Sequence, residues 1–186
     1  MLVCLDENIC MLEKGYGITM ISNMRLMLEC LALSNYIWNK GEDEAIRFQD
    51  FSDAQQMKIA GINPNKIFKD KYTRKFYQAN GWISDAKIKS IRQMVDNLEW
   101  RSEYKKMYKF SSEFVHASPE SIEIVSKLNR ELEHNSYAYF PLGFEHQIEL
   151  NVYLIQDFTK LIIENFIDEE NQQFNLFLLN TIVSWM

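Results

Sequence analysis

Glycine and proline are scarce, six and three in 186 residues. A β-sandwich or barrel turns every eight to twelve residues or so and draws on both residues for its corners, which excludes an all-β fold. Histidine and cysteine are as sparse. Cys4, Cys10 and Cys30 are odd in number, sit in apolar stretches and show no CxxC spacing; reduced thiols and a cytoplasmic location are expected. His116, His134 and His146 form no HExxH motif or Cys/His cluster, so neither a metal site nor a cofactor is expected, and a phosphate loop is absent. No apolar run reaches the eighteen or so residues of a membrane span. The nearest, from Ile18 to Ile37, is interrupted by Arg25 and Glu29, and no membrane partner is expected. The first residues lack the basic stretch and cleavage site of a signal peptide. Leu2, Val3 and Leu5 instead read as a chain opening in or just before a helix, as in a fragment of a longer protein or an alternative start. Positive charge is also in deficit. The formal net charge of −6 excludes the broad basic surface that dominates nucleic-acid affinity, so RNA is a partner that net charge does not favour.

What the chain does have is the balance of a globular protein, 47% hydrophobic and 25% charged residues, which argues against disorder. Its 12 Phe, 9 Tyr and 4 Trp read as packing between helices. Together with 9 Met they crowd one core, and a homo-oligomer would relieve that crowding. Periodicity and end signals predict helices over 2–14, 18–39, 42–60, 84–97 (capped by Ser84), 99–116, from Ser118-Pro119-Glu120 to His134, 145–166 and 171–185. The fold class is all-α: one domain over 1–186, a single helical bundle of about seven or eight helices.

Three stretches carry possible chemistry. On a helix, Arg25 and Glu29 fall within about 20° of the line through Ile18 and Tyr36. Residues around the rest of that helix are apolar, so an acid and a base one turn apart are expected in mid-core. They are either a salt bridge that fixes helix register or the floor of a polar pocket. The second stretch places Lys105, Lys109, Ser112 and His116 on one helical face and Tyr104, Tyr108, Ser111 and Val115 on another. There His116 is either a C-terminal cap, where the dipole favours a protonated imidazole, or a catalyst. His134 and His146 read as solvated. The third stretch, Asn65 to Gln78, interleaves Lys66, Lys69, Lys71, Arg74 and Lys75 with Phe68, Tyr72, Phe76 and Tyr77. It suits a single-strand nucleic-acid clamp, or an amphipathic helix with wet lysines, which the acidic surroundings favour.

The order of Arg25-x3-Glu29, Gly81-Trp82, and Tyr108-x2-Ser111-x4-His116 with Ser118-Pro119 resembles a bacterial all-helical family of unknown function, over about residues 5 to 165. The resemblance implies a helical fold in which Arg25, Glu29, Tyr108, Ser111 and His116 share a pocket. More distantly the chain is similar to the HEPN superfamily, helical bundles that often act as metal-independent ribonucleases in defence systems. Their mark is an arginine and a histidine with four to six residues between them. Here Lys109-x6-His116 stands in that place, with a point charge where the family has a planar fork. That likeness implies His116 as general acid or base, with Arg25, Glu29 and Lys109 as further catalytic candidates. Tyr108, Ser111 and Ser112 are candidates for ligand binding. The competing readings are a non-catalytic module binding a ligand or protein around Arg25 and Glu29, and a scaffold whose polar residues fix packing.

Overall fold

Long runs of helix formers free of glycine and proline set the two longest elements of the first half of the chain. The computed structural model describes residues 7–11, 17–68, 71–98, 101–116, 118–119, 122–123 and 144–167. Among them the structure is helical: 7–11, α1 (Gly17–Lys40), α2 (Glu42–Ile59), α3 (Asn65–Phe68), a 3₁₀ turn (Arg74–Tyr77), α4 (Ile91–Asp96), α5 (Glu103–Val115) and α6 (Phe144–Phe166). No strand occurs among the described residues, and the fold class is all-α as expected. The expected helix over 171–185, most of that over 2–14, His134 and the side chain of His146 lie outside the described residues. No helix among the described residues is long and apolar enough to cross a membrane. Cys10 and Cys30 form no disulfide.

The chain gathers into two compact units, one of residues 1–31 and 98–186, the other of residues 32–97. In the first, the buried face of α1 is Met20, Ile21, Met24, Met27, Leu28 and Leu31, the i, i+4, i+7 spacing of one helical stripe. Tyr104, Met107, Tyr108 and Ser111 make the matching stripe of α5. Leu150, Leu154, Asp157 and Leu161 make that of α6. Flexible methionines fill the gaps between these rows.

The second unit is held by a buried tryptophan and a buried carboxylate. Trp82 meets Tyr36 and Phe48 edge-on at 5.8 and 4.9 Å. Glu44 accepts from the Tyr36 hydroxyl at 3.1 Å and from the Ser84 amide at 2.8 Å. Arg47 donates from Nε to the carbonyl of Trp82 at 2.9 Å and lies over the rings of Tyr72 and Phe76. Gly41, with φ of +86° and ψ of −170°, closes α1 and lets α2 begin one residue later; its amide donates to the carbonyl of Ile37 at 2.9 Å, in a backbone conformation open to glycine and strained for other residues. At Gly81 the constraint is space. A Cβ there would stand 2.2 Å from the carbonyl oxygen of Lys75 and 2.5 Å from that of Phe76, so the Gly81-Trp82 pair is a glycine that admits the 3₁₀ turn and an indole that packs beneath it.

Two expectations fail in this unit. The basic segment is not one helix: α3 ends at Phe68 and the chain re-forms only as the 3₁₀ turn. There Tyr72 stacks on Phe76 at 3.7 Å, and Phe76 and Tyr77 are buried. The helix expected from Ser84 begins seven residues later, with Ser90 as its cap, accepting from the Gln93 amide at 3.3 Å. The intervening turn is held by tertiary bonds instead. Glu44 takes the Ser84 amide, while Asp85 accepts from the Lys87 amide and from Lys40 Nζ, each within 2.8 Å. Such contacts override local propensity.

Gly81→Ala is expected to destabilise the protein by about 1–3 kcal/mol through overpacking, and Ser90→Ala by about 1 kcal/mol through the lost cap. Ser84→Ala should stay within about 0.5 kcal/mol because only its backbone is used; urea denaturation ranks the three. Acid acts on the same unit through two carboxylates. The Lys40 ammonium and the Lys87 amide hold the Asp85 carboxyl below its usual range. Burial pushes Asp50 up, but its bonds from Lys71 and Tyr72 outweigh that and leave it lowered. Lowered folded values mean stability that is present above about pH 3.9 and lost as pH falls through them. The melting temperature of Asp50→Asn/Asp85→Asn should therefore fall less steeply than wild type between about pH 4 and pH 2.

Candidate functional site

The site is built on the first half of α1 and on α5, both in the first unit. Arg25 and Glu29 sit one turn apart on α1, so their side chains meet. Arg25 Nε donates to Glu29 Oε1 at 2.9 Å. Tyr108, on the inward stripe of α5, donates its hydroxyl to the same oxygen at 3.1 Å and receives Arg25 Nη2 at 3.4 Å. The guanidinium lies 4.9 Å from the centre of the Tyr108 ring. Burial and then the neighbouring Glu29 charge push the Tyr108 phenol up, so it stays protonated and donates. Burial lowers the Arg25 value, but the bond and charge of Glu29 outweigh it and leave it raised.

The pair is not in mid-core as expected. The Arg25 and Glu29 side chains are 15% and 23% exposed, because Ser22 and Leu26 on the same side of α1 face solvent. They open onto a cleft of about 490 Å³ lined by Ser22, Arg25, Leu26, Glu29, Phe114 and Val115. The two residues are not fully engaged with one another. Both donors converge on Glu29 Oε1, and no hydrogen bond from the described residues reaches Oε2. Arg25 Nη1 is buried without an acceptor among them, a state that costs about 1–3 kcal/mol.

Arg25, Glu29 and Tyr108 are thus brought together. Ser111 and Ser112 reach back to the carbonyl of Tyr108, at 3.1 and 2.7 Å, and Ser111 is fully buried; both brace the backbone of α5. Lys109 is exposed on α5. His116 is exposed at the C-cap of α5, its amide donating to the carbonyl of Ser112 at 3.1 Å. It adjoins Val115, a wall of the cleft, without lining the cleft itself. Among the described residues no cluster of three His, Cys, Asp or Glu is placed to hold a metal.

Sequence reasoning missed a second polar cluster in this unit. Arg101 grips Asp157 with two bonds, at 2.9 and 3.3 Å, and Gln156 at 3.0 Å, while the fully buried Tyr104 hydroxyl donates to Asp157. The Arg101 guanidinium stacks 4.0 Å from the centre of the Tyr153 ring. Burial and then the bond to Asp157 push the Tyr104 phenol far up. The available signal was Asp157 itself, an acid on the apolar stripe of α6 in register with Leu150, Leu154 and Leu161.

Both oxygens of Asp157 are engaged, whereas Glu29 is half engaged. Asp157→Ala is therefore expected to cost about 2–4 kcal/mol, leaving Arg101 and Tyr104 without their acceptor. Glu29→Ala should cost about 1–2 kcal/mol, since water reaches the cleft. Chemical denaturation of the two variants gives the order.

No curated protein and no solved structure matches the chain. A family model does match, over residues 1–135, a shorter stretch than the resemblance to a bacterial family implied but one that contains Arg25, Glu29, Gly81-Trp82, Tyr108 and His116. The chain belongs to DUF5677, a family of unknown function.

Proposed function

We propose that the chain is a non-catalytic binding module whose recognition element is the cleft at Arg25 and Glu29. The observation that carries this reading is the half-engaged carboxylate at the mouth of the cleft: Glu29 Oε2 accepts no hydrogen bond from the described residues and stands beside apolar walls. A volume of about 490 Å³ suits a compact ligand or one large side chain of a protein partner. Leu26, Phe114 and Val115 would hold its apolar body, and Glu29 Oε2 would accept from its donor. Among the described residues that line the cleft, no nucleophile is hydrogen-bonded to a base, the arrangement that acyl transfer requires.

A second reading, a HEPN-like metal-independent ribonuclease or defence effector, draws on one feature. His116 is exposed just beyond the Val115 wall, with Lys109 exposed earlier on the same helix. In that reading His116 would move the proton of an attacking 2′-hydroxyl, and Lys109 or Arg25 would steady the developing phosphorane charge.

Two measurements separate the readings. A fragment screen by ligand-observed NMR is expected to give binders that Val115→Trp, which fills the cleft, excludes while the variant still melts cooperatively. Fragments unaffected by Val115→Trp and by Glu29→Gln would end the binding-cleft reading. Incubation with single-stranded and hairpin RNA in EDTA is expected to leave the RNA intact. Cleavage by wild type that a folded His116→Ala protein lacks would establish the ribonuclease instead.

A further inference from the structure

The second unit carries an edge that the cleft does not explain. From Lys58 to Lys75 stand six basic residues and one acid, a local excess of five positive charges in a chain of net −6, leaving eleven negative charges over on the remainder. Among the described residues, hydrogen bonds tie the segment after α2 back onto that helix. Lys58 Nζ donates to the carbonyl of Tyr77 at 2.7 Å, and Asp50 of α2 takes Lys71 at 2.6 Å and the Tyr72 hydroxyl at 2.5 Å. These bonds lay residues 71–77 along α2. Lys71 is neutralised there, while Lys66, Arg74 and Lys75 are exposed and make no ion pair among the described residues.

Apolar side chains stand out along the same edge. Ile59 at the end of α2 is 88% exposed, Ile62 in the following loop 51% and Ile67 in α3 58%. Of the rings in the segment, Phe76 and Tyr77 are buried, Tyr72 is half-buried against Phe76, and Phe68 is half-buried. A single-strand nucleic-acid platform needs exposed rings on which bases stack. This edge offers aliphatic side chains among cations, which suits a headgroup layer with acyl chains beneath it.

We infer that this edge docks the protein on an anionic lipid surface, with Ile59, Ile62 and Ile67 entering the acyl boundary and Lys66, Arg74 and Lys75 meeting the headgroups. This is contact with one leaflet and requires no spanning helix. The acidity of the remaining chain does not prevent it, because repulsion is screened beyond about 8 Å at physiological ionic strength.

The test is flotation of the full chain with vesicles of phosphatidylcholine alone and with phosphatidylserine added at about one part in three. Binding is expected to the mixed vesicles and not to the neutral ones, and to weaken with salt. Ile59→Asn/Ile67→Asn and Lys66→Glu/Arg74→Glu/Lys75→Glu should each weaken it at least about tenfold, with cooperative melting confirming that both variants fold. Absence of binding to the mixed vesicles, equal binding to neutral ones, or full binding by the isoleucine variant would overturn the inference. So would retention of single-stranded RNA in place of vesicles.

Discussion

A carboxylate withdrawn from water holds its charge only if donors are aimed at it, and the described residues meet this requirement three times with the same parts. Glu29 has Arg25 and Tyr108; Glu44 has Tyr36, the Ser84 amide and, at 3.9 Å, Arg47; Asp157 has Arg101 and Tyr104. In each group a tyrosine fills apolar space with its ring and delivers its hydroxyl to the acid. An arginine supplies the countercharge. The abundance of tyrosine therefore has a polar reason as well as a packing one. Remove the carboxylate and both partners lose the acceptor that justifies their burial.

The three groups are not equivalent, and their difference gives the molecule its asymmetry. Asp157 uses both oxygens, and Glu44 accepts a backbone amide from a turn it thereby holds in place. Those two carboxylates fix tertiary structure. Among the described residues, Glu29 leaves one oxygen unbonded and Arg25 one nitrogen unmatched, at the margin of an open cleft. Glu44 likewise takes both of its hydrogen bonds on Oε1, with Arg47 3.9 Å from Oε2, so what separates Glu29 is its exposure: Glu44 is buried, whereas Glu29 opens onto a cleft.

Much of the fold is legible in the sequence because its signals are local. The limits of α1 and α2 are set by Gly41 and by the run of apolar residues before it, and α5 and α6 declare themselves by spacing. Ser84 misleads for the opposite reason. It has the character of a cap, but its amide is taken by Glu44, forty residues earlier, and the helix waits for Ser90. The pairing of Arg25 with Glu29 is legible from their spacing. The arrival of Tyr108 at that pair is implied by the family resemblance, while its hydrogen bonds come only from the packing of α5. Asp157 stays hidden because a lone acid on an apolar helix has no partner until α5 is placed beside it.

Hydrogen-bond saturation also decides which chemistry the cleft can host. A charged transition state needs donors already aimed at the place where charge develops. Arg25 is committed on two nitrogens, to Glu29 and Tyr108, and its third is buried; releasing it to a phosphate would strand the Glu29 carboxylate. Lys109 and His116 are exposed to water, where charge interactions are weak. Freeing Arg25 would break the best-formed contacts around the cleft, whereas Glu29 Oε2 takes no hydrogen bond from the described residues.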